Sequence, residues 1–295
     1  MLPERRSIPL RRGMADLWNT GWLHRSAMFA PLRAVGAHLP EIGWPNPDLL
    51  NALADGAGRI VNAQGQRVQF VAQQSRTGDF RDGFEPRAYL KGEVQVRPLD
   101  WHDLFNALVW MSFPVTKAVL NARHYEALVD VSAGNRSAIS DALTLFDEEG
   151  VIVLSSDASL LELVRNFRWK ELFWNRRDDL KKNMRFLLFG HALYHKALNP
   201  FIGMTGKAVL LNVPPSVLEL SQGQLVAAAD RRLALHVWDR SRLTHGREFS
   251  PLPVLGIPGW WDDTEREDFY DNTGYFRPGR SMGPDQATAS SSSGV

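Results

Sequence analysis

Apolar residues recur over residues 101–131 with the period of two successive helices. At about 100° per residue, Leu104, Phe105, Leu108 and Val109 share one side of the first, and His102, Asp103, Asn106 and Trp110 fall on the other. Pro114 cannot sit inside a helix but suits a first helical position, so the stretch divides into helices over 101–112 and 114–131. Asp100 is placed to cap the first of these, and Asp103 suits the positive end of its dipole. In the second, Lys117, Asn121 and His124 share a face, while Val115, Val119 and Leu120 point elsewhere. Two such polar faces can meet at a site, although the solvated sides of two amphipathic helices carry the same letters.

Elsewhere the patterns are shorter. Residues 31–58 mix Pro and Gly with short helical pieces such as Asp48 to Ala54. Arg67 to Gln73 alternates like a strand. Residues 85–97 read as a hairpin turning at Gly92, and residues 143–154 as a second one with Asp147-Glu148-Glu149-Gly150 at its tip. Those three acids are candidate metal ligands, but acids before a Gly at a hairpin tip are ordinarily solvated turn residues. Ser132 to Arg136 reads as a loop. A helix opens at Asp157, a nearly all-apolar helix spans 185–198, and a strand spans 207–213 until Pro214-Pro215 ends it. Gln222 to Trp238 is an Ala- and Leu-rich helix with Asp230 on its outer side. The Pro-rich segment 251–261 is expected to lie across a surface without regular structure.

The sum is an α+β chain: one domain over 13–280, its helices packed on a small mixed or antiparallel sheet with hairpins. A basic arm precedes it over 1–12, where four arginines face a single glutamate, and a Ser- and Gly-rich tail expected to be disordered follows from Ser281. At 295 residues the chain can bury a substantial core. A net charge of +1 gives no global field toward nucleic acid or anionic membranes. With no cysteine there are no disulfides, thiolate nucleophiles or iron–sulfur clusters, and any metal must be held by His, Asp or Glu. No apolar run approaches the ~20 residues of a membrane span and no signal segment is evident, so the expected location is cytoplasmic, without a membrane partner.

Three candidate chemistries remain. His102, Asp103, Asn106, Lys117 and His124 form the candidate catalytic set, and His102, His124 and His191 the candidate ligands for a divalent metal. His191 and His195 share a helix face, but Ala192 stands where a metalloprotease needs its Glu. Residues 165–185 hold eight basic side chains against three acids with aromatics interleaved. There Arg168, Trp169, Lys170, Trp174 and Arg176 are the candidate contacts to a phosphate-bearing small molecule or nucleic acid. A solvated basic face explains the same letters. The ten tryptophans suggest the alternative of a non-catalytic binding protein, with Trp101, Trp110, Trp169, Trp174, Trp260 and Trp261 on a ligand or partner surface. The order of a hairpin followed by His102, Asn106 and Lys117 is similar to that of HNH nucleases, but Val115 and Thr116 replace the histidine expected just before the lysine. No nucleophile elbow and no dinucleotide fingerprint occurs.

Four blocks taken together carry a family resemblance. They are residues 100–110, residues 141–150, Gly190-His-Ala-Leu-Tyr194 with Thr205-Gly206, and residues 252–260 continued by Phe269-Tyr-Asp and Phe276-Arg-Pro. In these the chain resembles a bacterial family of uncharacterised proteins, the domain-of-unknown-function 3025 family, over about residues 65 to 280. The resemblance implies a bacterial origin and one domain, and it carries no activity, cofactor or catalytic residue with it. From the residues themselves, the expected function is metal-dependent hydrolysis of a phosphate-bearing substrate.

Overall fold

The computed structural model describes residues 18–75, 78–130 and 138–279. The basic arm, the 132–136 loop and the tail from Ser281 lie outside them. Helical turns at Trp22–Arg25, Ala27–Leu32 and Arg33–Gly36 lead into α1 (Pro47–Gly56), β1 (Gln69–Ala72), α2 (Phe84–Lys91), β2 (Glu93–Val96), α3 (Trp101–Ser112) and α4 (Pro114–Asp130). The chain continues through α5 (Ala138–Glu149), β3 (Gly150–Ser155), α6 (Ala158–Arg165), α7 (Arg177–Asn183) and β4 (Met184–Leu188). It closes with α8 (His191–Ala197), β5 (Thr205–Asn212), α9 (Gln222–Trp238) and β6 (Ser250–Pro253), with short turns between. The fold is α+β, as expected. No helix among the described residues is long and apolar enough to cross a membrane.

The larger sheet has the order β4-β3-β5-β6, with β3 antiparallel to β4, parallel to β5, and β5 antiparallel to β6. All six residues of β3 are buried, which is why it reads as a continuous apolar run and not as an alternating one. The smaller sheet is the parallel pair β1 and β2, with Phe70 opposite Val94.

The break at Pro114 is real, and Asp100 caps α3 by accepting from the Asp103 N–H. What caps α4 comes from far along the chain. Asp230 of α9 accepts from the N–H groups of Val115 and Thr116 at 3.0 and 2.8 Å, and the Thr116 hydroxyl returns a bond to the Asp230 carbonyl. Asp230 is therefore buried and not on the outer side of its helix, because the first turn of α4 has donors that nothing nearby in sequence can satisfy. Asp230→Ala should leave the buried Thr116 N–H and the half-buried Val115 N–H unpaired and lower stability by about 1–3 kcal/mol, read by urea denaturation. An unchanged midpoint would refute that role.

Neither expected hairpin forms. Over 85–97 the chain is helix α2 followed by β2, and Gly92 is the left-handed C-cap of the helix, at φ +71°. A Cβ at Gly92 would lie 2.3 Å from the Arg67 carbonyl oxygen. The strand hairpin behind the similarity to HNH nucleases is thus absent. Over 143–154, Ala142, Leu143 and Phe146 bury one face of α5, which runs straight into β3. The acids at 147–149 end a helix and do not tip a hairpin. The single helix expected over 185–198 is instead β4, a bend at Gly190 and α8; a short apolar run does not distinguish strand from helix by itself. Ser250–Pro253, expected to be irregular, forms the edge strand β6, where prolines are tolerated, and Leu252, Val254 and Leu255 are buried.

The tryptophans largely explain the core. Trp22, Trp101, Phe29, Phe105 and Tyr194 stack in one cluster, with Trp22 and Phe105 centroids 5.1 Å apart and Phe105 and Tyr194 5.8 Å apart. Of the six tryptophans considered for a ligand-facing surface, Trp101, Trp110, Trp169 and Trp260 are buried.

Candidate functional site

The polar faces of α3 and α4 do meet. Lys117 of α4 reaches across to α3 and α5, its Nζ lying 2.9 Å from Asn106 Oδ1 and 2.6 and 2.9 Å from the two carboxylate oxygens of Asp147. All three side chains are buried. Burial alone would push the Asp147 carboxyl up, but the Lys117 ammonium beside it holds it below the ordinary carboxylate value.

The fourth element is α8, and Gly190 sets its position. A Cβ at Gly190 would lie 2.4 Å from the Glu148 carbonyl oxygen, so only glycine lets the start of α8 pass this close to the end of α5. The Tyr194 hydroxyl fastens the helix by donating to the Leu188 carbonyl at 2.6 Å. His191 consequently emerges beside Asp147 and Glu148, and its ring meets that of His102 edge-on at 4.4 Å.

These elements enclose a pocket of about 190 Å³, lined by His102, Asn106, His124, Asp147, Glu148 and His191 among others. One ring nitrogen each from His102 and His191 and one carboxylate oxygen from Glu148 lie within 4.8 Å of one another. A tetrahedral ion with bonds of about 2.0–2.2 Å requires ligand atoms roughly 3.5 Å apart, within reach of small side-chain rotations. His191 Nδ1 and His124 Nε2 are both buried without a hydrogen-bond partner among the described residues. A buried polar atom left unpaired costs about 1–3 kcal/mol, so these two nitrogens are held here at a cost to stability.

The two imidazoles of the cluster are pulled in opposite directions. His102 is raised above its ordinary value by its contact to Asp103 at 3.4 Å, against partial burial and with help from Glu148. Burial brings His191 down to about 3, despite Asp147 Oδ2 at 3.7 Å from its Nδ1. Burial also brings His236 of α9 down to about 4. Both histidines are neutral in the fold, whereas in the unfolded chain they take up a proton below about pH 6.5. Metal-free protein should therefore lose stability progressively as pH falls from about 6.5 to about 4. Thermal melts across that range check this, and a flat profile above pH 4.5 would contradict it.

Of the sequence candidates, His102, Asp103, Asn106, His124 and His191 line this one pocket, and Lys117 braces it. The Asp103 carboxylate is engaged by the Arg97 backbone and guanidinium. His124 lines the pocket but falls outside the ligand cluster, where Glu148 stands as the third member. His195 is exposed. Asp147 and Glu148 are the residues that sequence reasoning left in a solvated turn; the buried positions Leu143 and Phe146, three apart, were the signal of a helix. The basic and aromatic candidates do not line the pocket. Arg168 pairs with Glu171, Lys170 with Glu267 and Asp271, and Arg176 with Asp157 and Asp179. Trp169 is buried, its indole N–H donating to the Arg277 carbonyl, and the half-buried Trp174 faces Arg177.

A family model described as a protein of unknown function, DUF3025, matches residues 68–280. The chain belongs to this family. No curated protein and no solved structure matches it. Every residue lining the pocket lies inside the matched DUF3025 segment, including both histidines of the cluster and Glu148.

Proposed function

We propose that this DUF3025 protein is a divalent-metal-dependent hydrolase, its ion held by His102, His191 and Glu148. The observation that carries the reading is the convergence of those three ligand atoms in a pocket that also holds an unpartnered His124 nitrogen. Two histidines and a carboxylate are a donor set that hydrolytic zinc sites use. A divalent ion held by these residues would act as a Lewis acid and make a water molecule more acidic near neutral pH.

The chain's own groups have distinct tasks. Lys117, held in turn by Asn106, fixes the Asp147 carboxylate, and Asp147 stands 3.7 Å from His191 Nδ1, from where a small ring rotation would let it support a metal-bound imidazole. His124 is the group available to exchange a proton with the reacting atoms. A phosphate ester is the favoured substrate class, and it depends on the ion. The pocket lining includes Glu85, Asp103 and Glu148, and the nearby ammonium of Lys117 is already committed to Asp147. A divalent ion would offset that negative lining and so admit an anionic substrate.

The test is hydrolysis of aryl phosphate mono- and diesters by zinc- or manganese-loaded protein. Activity should vanish on chelation and return on reloading. His124→Gln should lower turnover by about 10²–10⁴-fold with the metal content unchanged. Activity that survives chelation, or a fully loaded protein inert toward phosphate and carboxylate esters alike, would refute the reading.

A further inference from the structure

A second cavity lies apart from this pocket. It has a volume of about 760 Å³ and shares no lining residue with the histidine pocket. Its walls are the Arg33–Gly36 turn, α1, the C-terminal end of α3 and the first turn of α9. Met111 and Val226 give it an apolar floor, with alanines around them. The volume is within the range of cavities that hold small organic ligands.

Its charge is one-sided. Among the described residues, Arg33 and His38 line the cavity and no Asp or Glu does. The Arg33 guanidinium donates only to the carbonyls of Leu23 and Ser26, both at 3.3 Å, and has no carboxylate partner among the described residues. Ser112 is also in the lining, and its buried hydroxyl has no hydrogen-bond partner among the described residues. An occupant that pairs with Arg33 while lying against these apolar walls needs an apolar body and an anionic, hydrogen-bond-accepting head. We propose that this cavity binds a monocarboxylate with a medium-length alkyl chain, its carboxylate on Arg33 and its chain against Met111 and Val226. The site lies about ten residues along α3 from His102, roughly 15 Å away, and stands or falls independently of the metal site.

The test is calorimetric titration of the full-length protein with dodecanoate, and with dodecyl alcohol and dodecyltrimethylammonium as head-group controls. Dodecanoate should bind once per chain, at least tenfold more tightly than either control. Ala227→Trp, at an exposed position on the cavity wall, should abolish binding while leaving the melting temperature unchanged. Arg33→Gln should remove the preference for the carboxylate over the alcohol. Equal affinity for the three amphiphiles, absence of saturable binding, or binding that survives Ala227→Trp would overturn the proposal. So would a self-association that Ala227→Trp dissolves, which would give this face to a second copy of the chain.

Discussion

Lys117→Met should destabilise the protein by about 3–5 kcal/mol, the cost of leaving one half of a buried ion pair uncompensated. The Lys117 ammonium is the direct partner of an Asp147 carboxylate that is itself buried, and Asn106 completes the set. With the ammonium gone, Asp147 must either remain charged in an apolar surrounding or take up a proton. The double variant Lys117→Met, Asp147→Leu removes both charges and should recover most of the loss, since apolar replacements of similar size for buried pairs are often close to neutral. Stability and function then separate. The double variant should fold nearly as well as the wild type yet bind metal about 10–100-fold more weakly, because His191 has lost the carboxylate beside it. Urea denaturation and metal titration on the same three proteins decide the matter. A double variant with wild-type metal affinity would show that Asp147 serves the fold alone.

Gly190→Ala is the second large effect. The added Cβ meets the Glu148 carbonyl 2.4 Å away, and a backbone atom, unlike the end of a flexible side chain, cannot turn aside. Either α5 or α8 has to shift, at a cost of about 1–3 kcal/mol for an overpacked contact. The shift separates His191 from Glu148, so metal affinity should fall together with stability. His195→Ala, on the same short helix but exposed, should change neither. A Gly190→Ala protein that binds metal as the wild type does would contradict the ligand assignment.

Part of this site is legible in the sequence, and the reason is local. The helices over 101–112 and 114–130 follow from Pro114, Asp100 and a clean 3.6-residue period, and they put His102, Asn106, Lys117 and His124 on polar faces. His191 is legible as a candidate, but its position is not, because that depends on the bend at Gly190 and an approach between segments some forty residues apart. Asp147 and Glu148 were obscured by the glycine that follows them: acid-acid-acid-Gly has the composition of a turn, while Gly150 is the first residue of a buried central strand. The same limit applies to residues 165–185. Their letters give charge and aromaticity, but not the acids that pair with Lys170, which come from positions 267 and 271. The buried tryptophans follow the same rule, since a count of indoles does not reveal which of them face each other.

Metal binding by the purified protein, titrated against a zinc chelator of known affinity, bears most directly on the central claim. The wild type should take up one equivalent. His102→Ala, His191→Ala and Glu148→Gln should each lose more than ~100-fold in affinity, beyond the 10–100-fold typical of groups that only support a ligand. A wild type that binds no metal, or three variants that bind it unchanged, would contradict the account.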